Sequence, residues 1–243
     1  MLLSDYRPRS CLVTKSTTVL KPRFPVVDFH NHLGDEFGGG WVQRPLGELL
    51  AALDEAGVRT YVDFDGMYGE AVLEAHLSHL EPGGERFRVF GGVDWSAWQE
   101  QGDGFAEWAA DRLRIQKRRG ASGIKIWKPF GLHVRDHLGQ LVSVDDERLE
   151  PIWQTAGELQ LPVAVHIADP VAFFDPVDEY NERWEELQGN PDWQFLSPPF
   201  PSFLSVVKHF SYNLYATSKT KLSEISIVSP FLNDSVSSLF ASA

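Results

Sequence analysis

A chain of 243 residues with 43% hydrophobic content can bury the core of one large α/β domain or of two smaller ones. Its 22 basic and 34 acidic residues give a formal net charge of -12, the wrong sign for neutralising nucleic-acid phosphates or an anionic membrane surface. The single cysteine, Cys11, excludes an intrachain disulfide framework and points to a reducing, cytoplasmic compartment.

Residues 1–25 open with MLLSDYRPRSCLVTKSTTVLKPRF. No stretch in it is apolar for long enough to serve as a signal peptide or membrane span. It reads as an N-terminal arm crossing the base of a domain. From Val26 onward, short β-rich runs alternate with helical patterns, the signature of a parallel α/β sheet. The expected strands are PVVDFH, VRTYVDF from Val58, FRVFGGV from Phe87, GIKIW from Gly123, and PVAVHI ending at Ile167. Between them, Leu46, Leu49, Leu50 and Leu53 keep helical spacing, with Pro45 suited to a first turn and Gly57 to the stop. Phe105, Trp108, Ala109 and Leu113 do the same before KRRG. Leu149, Ile152, Trp153, Ala156 and Leu159 follow the acidic start Asp145, Asp146, Glu147, which favours a helix N-terminus.

Strand starts recur every ~30 to 40 residues, about one βαβ unit, and eight such units make a (β/α)8 barrel of ~250 residues. Five units are used by residue 167. The expected architecture is therefore an incomplete TIM-type barrel of about five to six βα units over residues 26–203. It includes a long acidic loop, 168–203, with seven carboxylates and one arginine between Asp169 and Glu186. Such a loop after a barrel strand suits either a cover over the active site or a solvated excursion. Residues 204–243 contain ten serines but no Gly, Trp or Arg, and read as an atypical tail.

Asp28, His30 and His32 alternate along the first strand, so all three should share one face. Residues two apart lie roughly 6.5 to 7 Å apart, and two imidazoles so placed can reach one ion at about 2.0 to 2.1 Å. His166 ends the fifth strand at the same relative place. Lys125 lies in the apolar strand GIKIW, where an unpaired ammonium is costly. Either it acts in the chemistry or it is ion-paired to Asp63 or Asp94. His76 and His79 are expected to face solvent from the second helix. His133 and His137 follow the fourth strand, where contact with a substrate is the lesser reading and a role outside the chemistry the greater. No Gly-rich phosphate loop, nucleophile elbow or CxxC is present.

The segments VVDFHNHLG, GIKIWKPFG and LPVAVHIADP resemble the metal-dependent amidohydrolase superfamily, nearest to the amidohydrolase-related branch that includes aminocarboxymuconate-semialdehyde decarboxylase-like enzymes. The resemblance spans residues 24–203. It implies a (β/α)8 barrel with a divalent metal, often zinc, at the C-terminal rim. His30 and His32 fall on the first-strand ligands of that family and His166 on the fifth-strand ligand. Lys125 falls on the fourth strand, where several branches use a carboxylated lysine to bridge two metals, although this branch usually works with one. The family's histidine after the sixth strand and aspartate after the eighth are not matched, and His209 and Asp234 are not assigned. The implied activity is attack of metal-activated water on a carbonyl, amide or ester-like small molecule. A decarboxylase or hydratase on the same scaffold, and an inactive barrel fragment, are the alternatives. A small-molecule substrate is expected, with no nucleic acid or membrane as partner; homo-oligomerisation is left open.

Overall fold

The computed structural model describes residues 5–8, 22–35, 39–167 and 170–207. Its five strands are β1 Val26–Asn31, β2 Val58–Asp63, β3 Phe87–Gly92, β4 Gly123–Ile126 and β5 Val163–Val165. All neighbours pair in parallel, in the order β1-β2-β3-β4-β5. The helices are α1 Leu46–Ala56, α2 Glu70–Leu80, α3 Trp98–Gln101, α4 Phe105–Arg119, α5 Glu150–Glu158 and α6 Trp184–Gly189. None among the described residues is long and apolar enough to cross a membrane.

Local chemistry sets the helix ends. α1 stops where Gly57 takes φ 73 and returns its N–H to the carbonyls of Leu53 and Asp54, a left-handed cap that glycine adopts without penalty. α4 ends on Lys117, Arg118 and Arg119, cations that complement the negative end of the helix dipole. Asp146 accepts the Arg148 N–H at the turn that leads into α5.

A flat sheet would place the outer strands β1 and β5 roughly 19 Å apart, four gaps of about 4.8 Å. Instead the rings of His30, on β1, and His166, just beyond β5, lie with centroids 6.0 Å apart. The sheet is therefore strongly curled, a partial α/β barrel. Its inner face is closed by Val62, Phe64, Phe90 and Ala164, with Phe29 packed on them. Outside, Leu49, Leu53, Leu73 and Leu80 of α1 and α2 cover β2 and β3. Phe105, Leu113, Ile152 and Ala156 of α4 and α5 pack on Ile124, Ile126 and Val163.

Two expectations need correction here. Strict alternation fails in β1: Asp28 pairs in register with Tyr61 but Asn31 with Asp63, so three residues advance against two. Such a bulge re-aims side chains. Phe29 and His30 consequently both meet the Phe64 ring, at 5.8 and 5.0 Å, and Asp28 does not follow His30 inward by simple parity. The arm, in turn, does not only cross the base. A side chain at Gly57 would meet Pro22 at 3.1 Å, which puts Pro22 at the start of β2. Arg7, however, donates its N–H to the Glu179 carbonyl at 2.9 Å, and the Tyr6 hydroxyl donates to the carbonyls of Asn181 and Glu182. Those acceptors belong to the long loop after β5.

That loop is folded rather than a loose excursion. Phe173, Leu187 and Phe195 bury themselves together with Leu132 of the β4–α5 connection and Val206 at the start of the tail, and His133 edges onto Phe195 and Phe200. It thus packs beside the C-terminal rim. Residues 9–21 of the arm, Ala168, Asp169, and the tail from 208 onward, with His209 and Asp234, lie outside the described residues.

Candidate active site

Four of the residues singled out in the sequence meet on the inner face at the C-terminal rim. His30 and His32 have ring centroids 5.8 Å apart, and His166 completes the set 6.0 Å from His30. Lys125 points inward from β4 and is only 2% exposed. Its Nζ lies 3.4 Å from His30 Nε2 and 4.5 Å from the centre of the Phe64 ring. The Trp127 ring stands edge-on to His166 at 5.0 Å.

The cup is basic in composition but sparing of charge. Burial, with Lys125 and His32 adding to it, pushes the His30 pKa down to about 4, so its imidazole is neutral at pH 7 and offers a lone pair. Burial alone pushes Lys125 down to about 7, because an ammonium on an aromatic wall loses its water. The ion pair envisaged for Lys125 is not made. Asp63 faces α2 and Asp94 caps the turn at Ser96.

His30 is close enough to each of the other two imidazoles to share a divalent cation with it. An ion about 2.1 Å from an imidazole nitrogen sits roughly 3.2 Å from that ring's centre, so two rings sharing it lie up to ~6.4 Å apart. The observed 5.8 Å between His30 and His32 and 6.0 Å between His30 and His166 fall within that limit, whereas the three described side chains whose ligand-type atoms all lie within 4.8 Å of one another are Asp63, Asp65 and His76.

Behind the cup lies a polar cluster that the sequence reading missed. His32 Nδ1 is 2.5 Å from Asp65 Oδ1, and Asp65 Oδ2 accepts the Gly34 N–H at 2.6 Å. Burial would raise the Asp65 pKa, but the hydrogen bonds from His32 and Gly34, with His32 and His76 nearby, outweigh it and hold the carboxyl below its ordinary range. His76 was expected in solvent. It is 3% exposed, and its Nδ1 meets Asp63 Oδ2 at 2.5 Å. His79 is half-buried. The signal was present in VDFD, where two carboxylates close a strand ahead of a histidine-bearing helix. Asp63, Asp65 and His76 bring ligand-type atoms within 4.8 Å of one another. The other two histidines are elsewhere: His133 is wrapped by Phe195 and Phe200, and His137 faces Asp103 at 3.5 Å.

No family model matches the chain, and no curated protein matches it. Solved structures do. The 2,6-dihydroxybenzoate decarboxylase from Rhizobium superposes with a TM-score of 0.51 at 16% identity, over 84% of this chain and 65% of that one. The 2,6-dihydroxybenzoate decarboxylase complexed with 2,6-dihydroxybenzoate gives 0.50 at 15% identity, over 84% and 66%. A dihydroxybenzoic acid decarboxylase from Polaromonas sp. JS666, with bound manganese and the inhibitor 2-nitroresorcinol, gives 0.45 at 18% identity, over 74% and 52%. The chain spans less than two thirds of the length of each of these. What it shares with the first two is the fold, and that fold is the α/β barrel expected from the sequence.

Proposed function

We propose that the chain is a metal-dependent enzyme of the amidohydrolase type. In this reading His30, His32 and His166 hold one divalent cation, and a carbonyl, amide or ester-like small molecule is hydrolysed. One observation carries it: three imidazoles from the two outer edges of the sheet meet on its inner face, at the rim where barrel enzymes keep their chemistry. An all-imidazole set suits zinc best among the abundant divalent ions of hydrolases. When bound, such an ion supplies Lewis-acid polarisation of a substrate oxygen and a lowered pKa for water.

The protein's own groups do the rest. His30 is held neutral by burial, so its lone pair is available without prior loss of a proton. Lys125, fixed on a strand with its amine toward His30, is placed to donate a hydrogen bond or a proton to a substrate oxygen. Phe29, Phe64 and Phe90 line the floor and exclude water beneath the reacting groups.

That aromatic floor favours a second reading. A flat unsaturated or aromatic acid would stack on it, and loss of its carboxylate as carbon dioxide would make the enzyme a lyase. Product analysis decides: amine or alcohol release from a panel of amides, esters and lactones supports hydrolysis, and carbon dioxide from aromatic or unsaturated acids supports the lyase. If neither class turns over with zinc or manganese supplied, the enzymatic reading fails in favour of an inactive barrel fragment. Because the family's further ligands are not matched, turnover by the isolated chain is expected to be impaired.

A further inference from the structure

The cluster of Asp63, Asp65 and His76 has the residue types and closeness of a metal site, yet its atoms are already committed. Asp63 Oδ1 accepts the N–H groups of Leu33 and Asp65, both at 3.2 Å. Asp63 Oδ2 faces His76 Nδ1, Asp65 Oδ1 faces His32 Nδ1, and Asp65 Oδ2 accepts from Gly34 N–H. Each of the four carboxylate oxygens therefore has a nitrogen against it, and Asp63 Oδ1 and Asp65 Oδ2 accept from backbone N–H groups. Those three donors, Leu33, Gly34 and Asp65, are backbone amides just beyond β1 and β2, which cannot give up a proton or turn away without local unfolding. A cation placed there would have to compete with three backbone N–H groups for two of the four oxygens.

We infer that this cluster is a buttress and not a second metal site, and that Asp65 is a positioning residue that fixes the tautomer and orientation of His32. The inference rests on the reading of His30, His32 and His166 as a ligand set. A carboxylate oxygen accepts, so a His32 ring with one proton carries it on Nδ1, toward Asp65, and leaves its lone pair at Nε2. Asp63 and His76 support this from below: Asp63 holds the Asp65 backbone N–H, and His76, on α2, locks Asp63. The close fit shows at Gly34, where an added Cβ would stand 3.0 Å from Asp65 Oδ2 and 3.4 Å from His76 Cε1. Outer partners of this kind commonly set ligand basicity and metal affinity.

The test uses the full chain in two measurements. In the metal-free protein, 15N shifts of the His32 ring should show the Nδ1–H tautomer; in Asp65→Ala the ring should shift toward Nε2–H, and Asp65→Asn, which keeps an acceptor, should restore much of the wild-type pattern. Zinc titration should give about one equivalent, with affinity falling roughly 10- to 100-fold in Asp65→Ala and less in Asp65→Asn. Asp65→Asn also serves if the alanine variant does not fold. A wild-type His32 carrying its proton on Nε2, or a second zinc lost specifically in His76→Ala, overturns the inference. Absence of zinc binding, or binding indifferent to His166→Ala, instead overturns the ligand-set reading, and the tautomer measurement still judges the role of Asp65.

Discussion

Lys125 is the buried charge that stability gives this fold least reason to carry. It is 2% exposed and lies against Phe64 and His30, and no ion pair to it forms among the described residues. Lys125→Met preserves the stem and removes the amine; its urea midpoint should equal or exceed that of wild type, while kcat falls about 100-fold or more, the range of a lost acid or base. Equal turnover would remove Lys125 from the mechanism. Arg148 shows the opposite economy: it holds Asp136 and Asp146 together, and hydrogen bonds from its guanidinium, stronger than the burial that opposes them, keep both carboxyls below their ordinary range. A depressed pKa contributes stability above the unfolded value of about 3.9 and loses it as pH falls through the folded value. Arg148→Met should therefore lower the urea midpoint at pH 7 and move the midpoint of acid unfolding to higher pH, with the difference from wild type shrinking as pH falls below about 4; equal urea midpoints at pH 7 would contradict this. The residues that end or occupy apolar strands, His30, His32, Lys125 and His166, were legible because a polar group in such a run must have a reason. His76 was not, since its reason is Asp63, one strand away, and helical spacing cannot reveal a partner on the sheet beneath.

At the scale of the element, close approach decides more than propensity does. Gly66 sits where α2 and β3 converge, and a Cβ there would stand 2.3 Å from the Phe90 carbonyl oxygen and 2.8 Å from Leu73 Cδ1. Backbone cannot yield cheaply, so Gly66→Ala should lower stability by about 1–3 kcal/mol. Gly47, in the first turn of α1, has open space around it, and Gly47→Ala should raise stability by about 0.5 kcal/mol. Urea midpoints of the two variants shifting in the same direction would refute the packing described. Strand and helix positions were readable because their apolar periods are regular and Pro45, Gly57 and Gly120 punctuate them. The bulge in β1 was not, because HNH alternates by type whatever the backbone does, and only the pairing of Asp28 with Tyr61 and Asn31 with Asp63 exposes the slipped residue.

For the whole molecule, curvature is what turns a row of strands into a site. β1 and β5 are four strand gaps apart in the sheet, yet their histidines meet. The number of βα units was legible from their spacing, and the folded loop beside the rim was legible only as a long acidic insertion, because its aromatic packing on Leu132 and His133 joins distant segments. The central claim is that this convergence makes a metal cup. Elemental analysis of the purified full chain after zinc loading and exhaustive buffer exchange tests it most directly. The account predicts about one equivalent in wild type, lost in His30→Ala and in His166→Ala while their circular dichroism stays native. A wild-type chain that retains no metal, or variants that retain it in full, would contradict it.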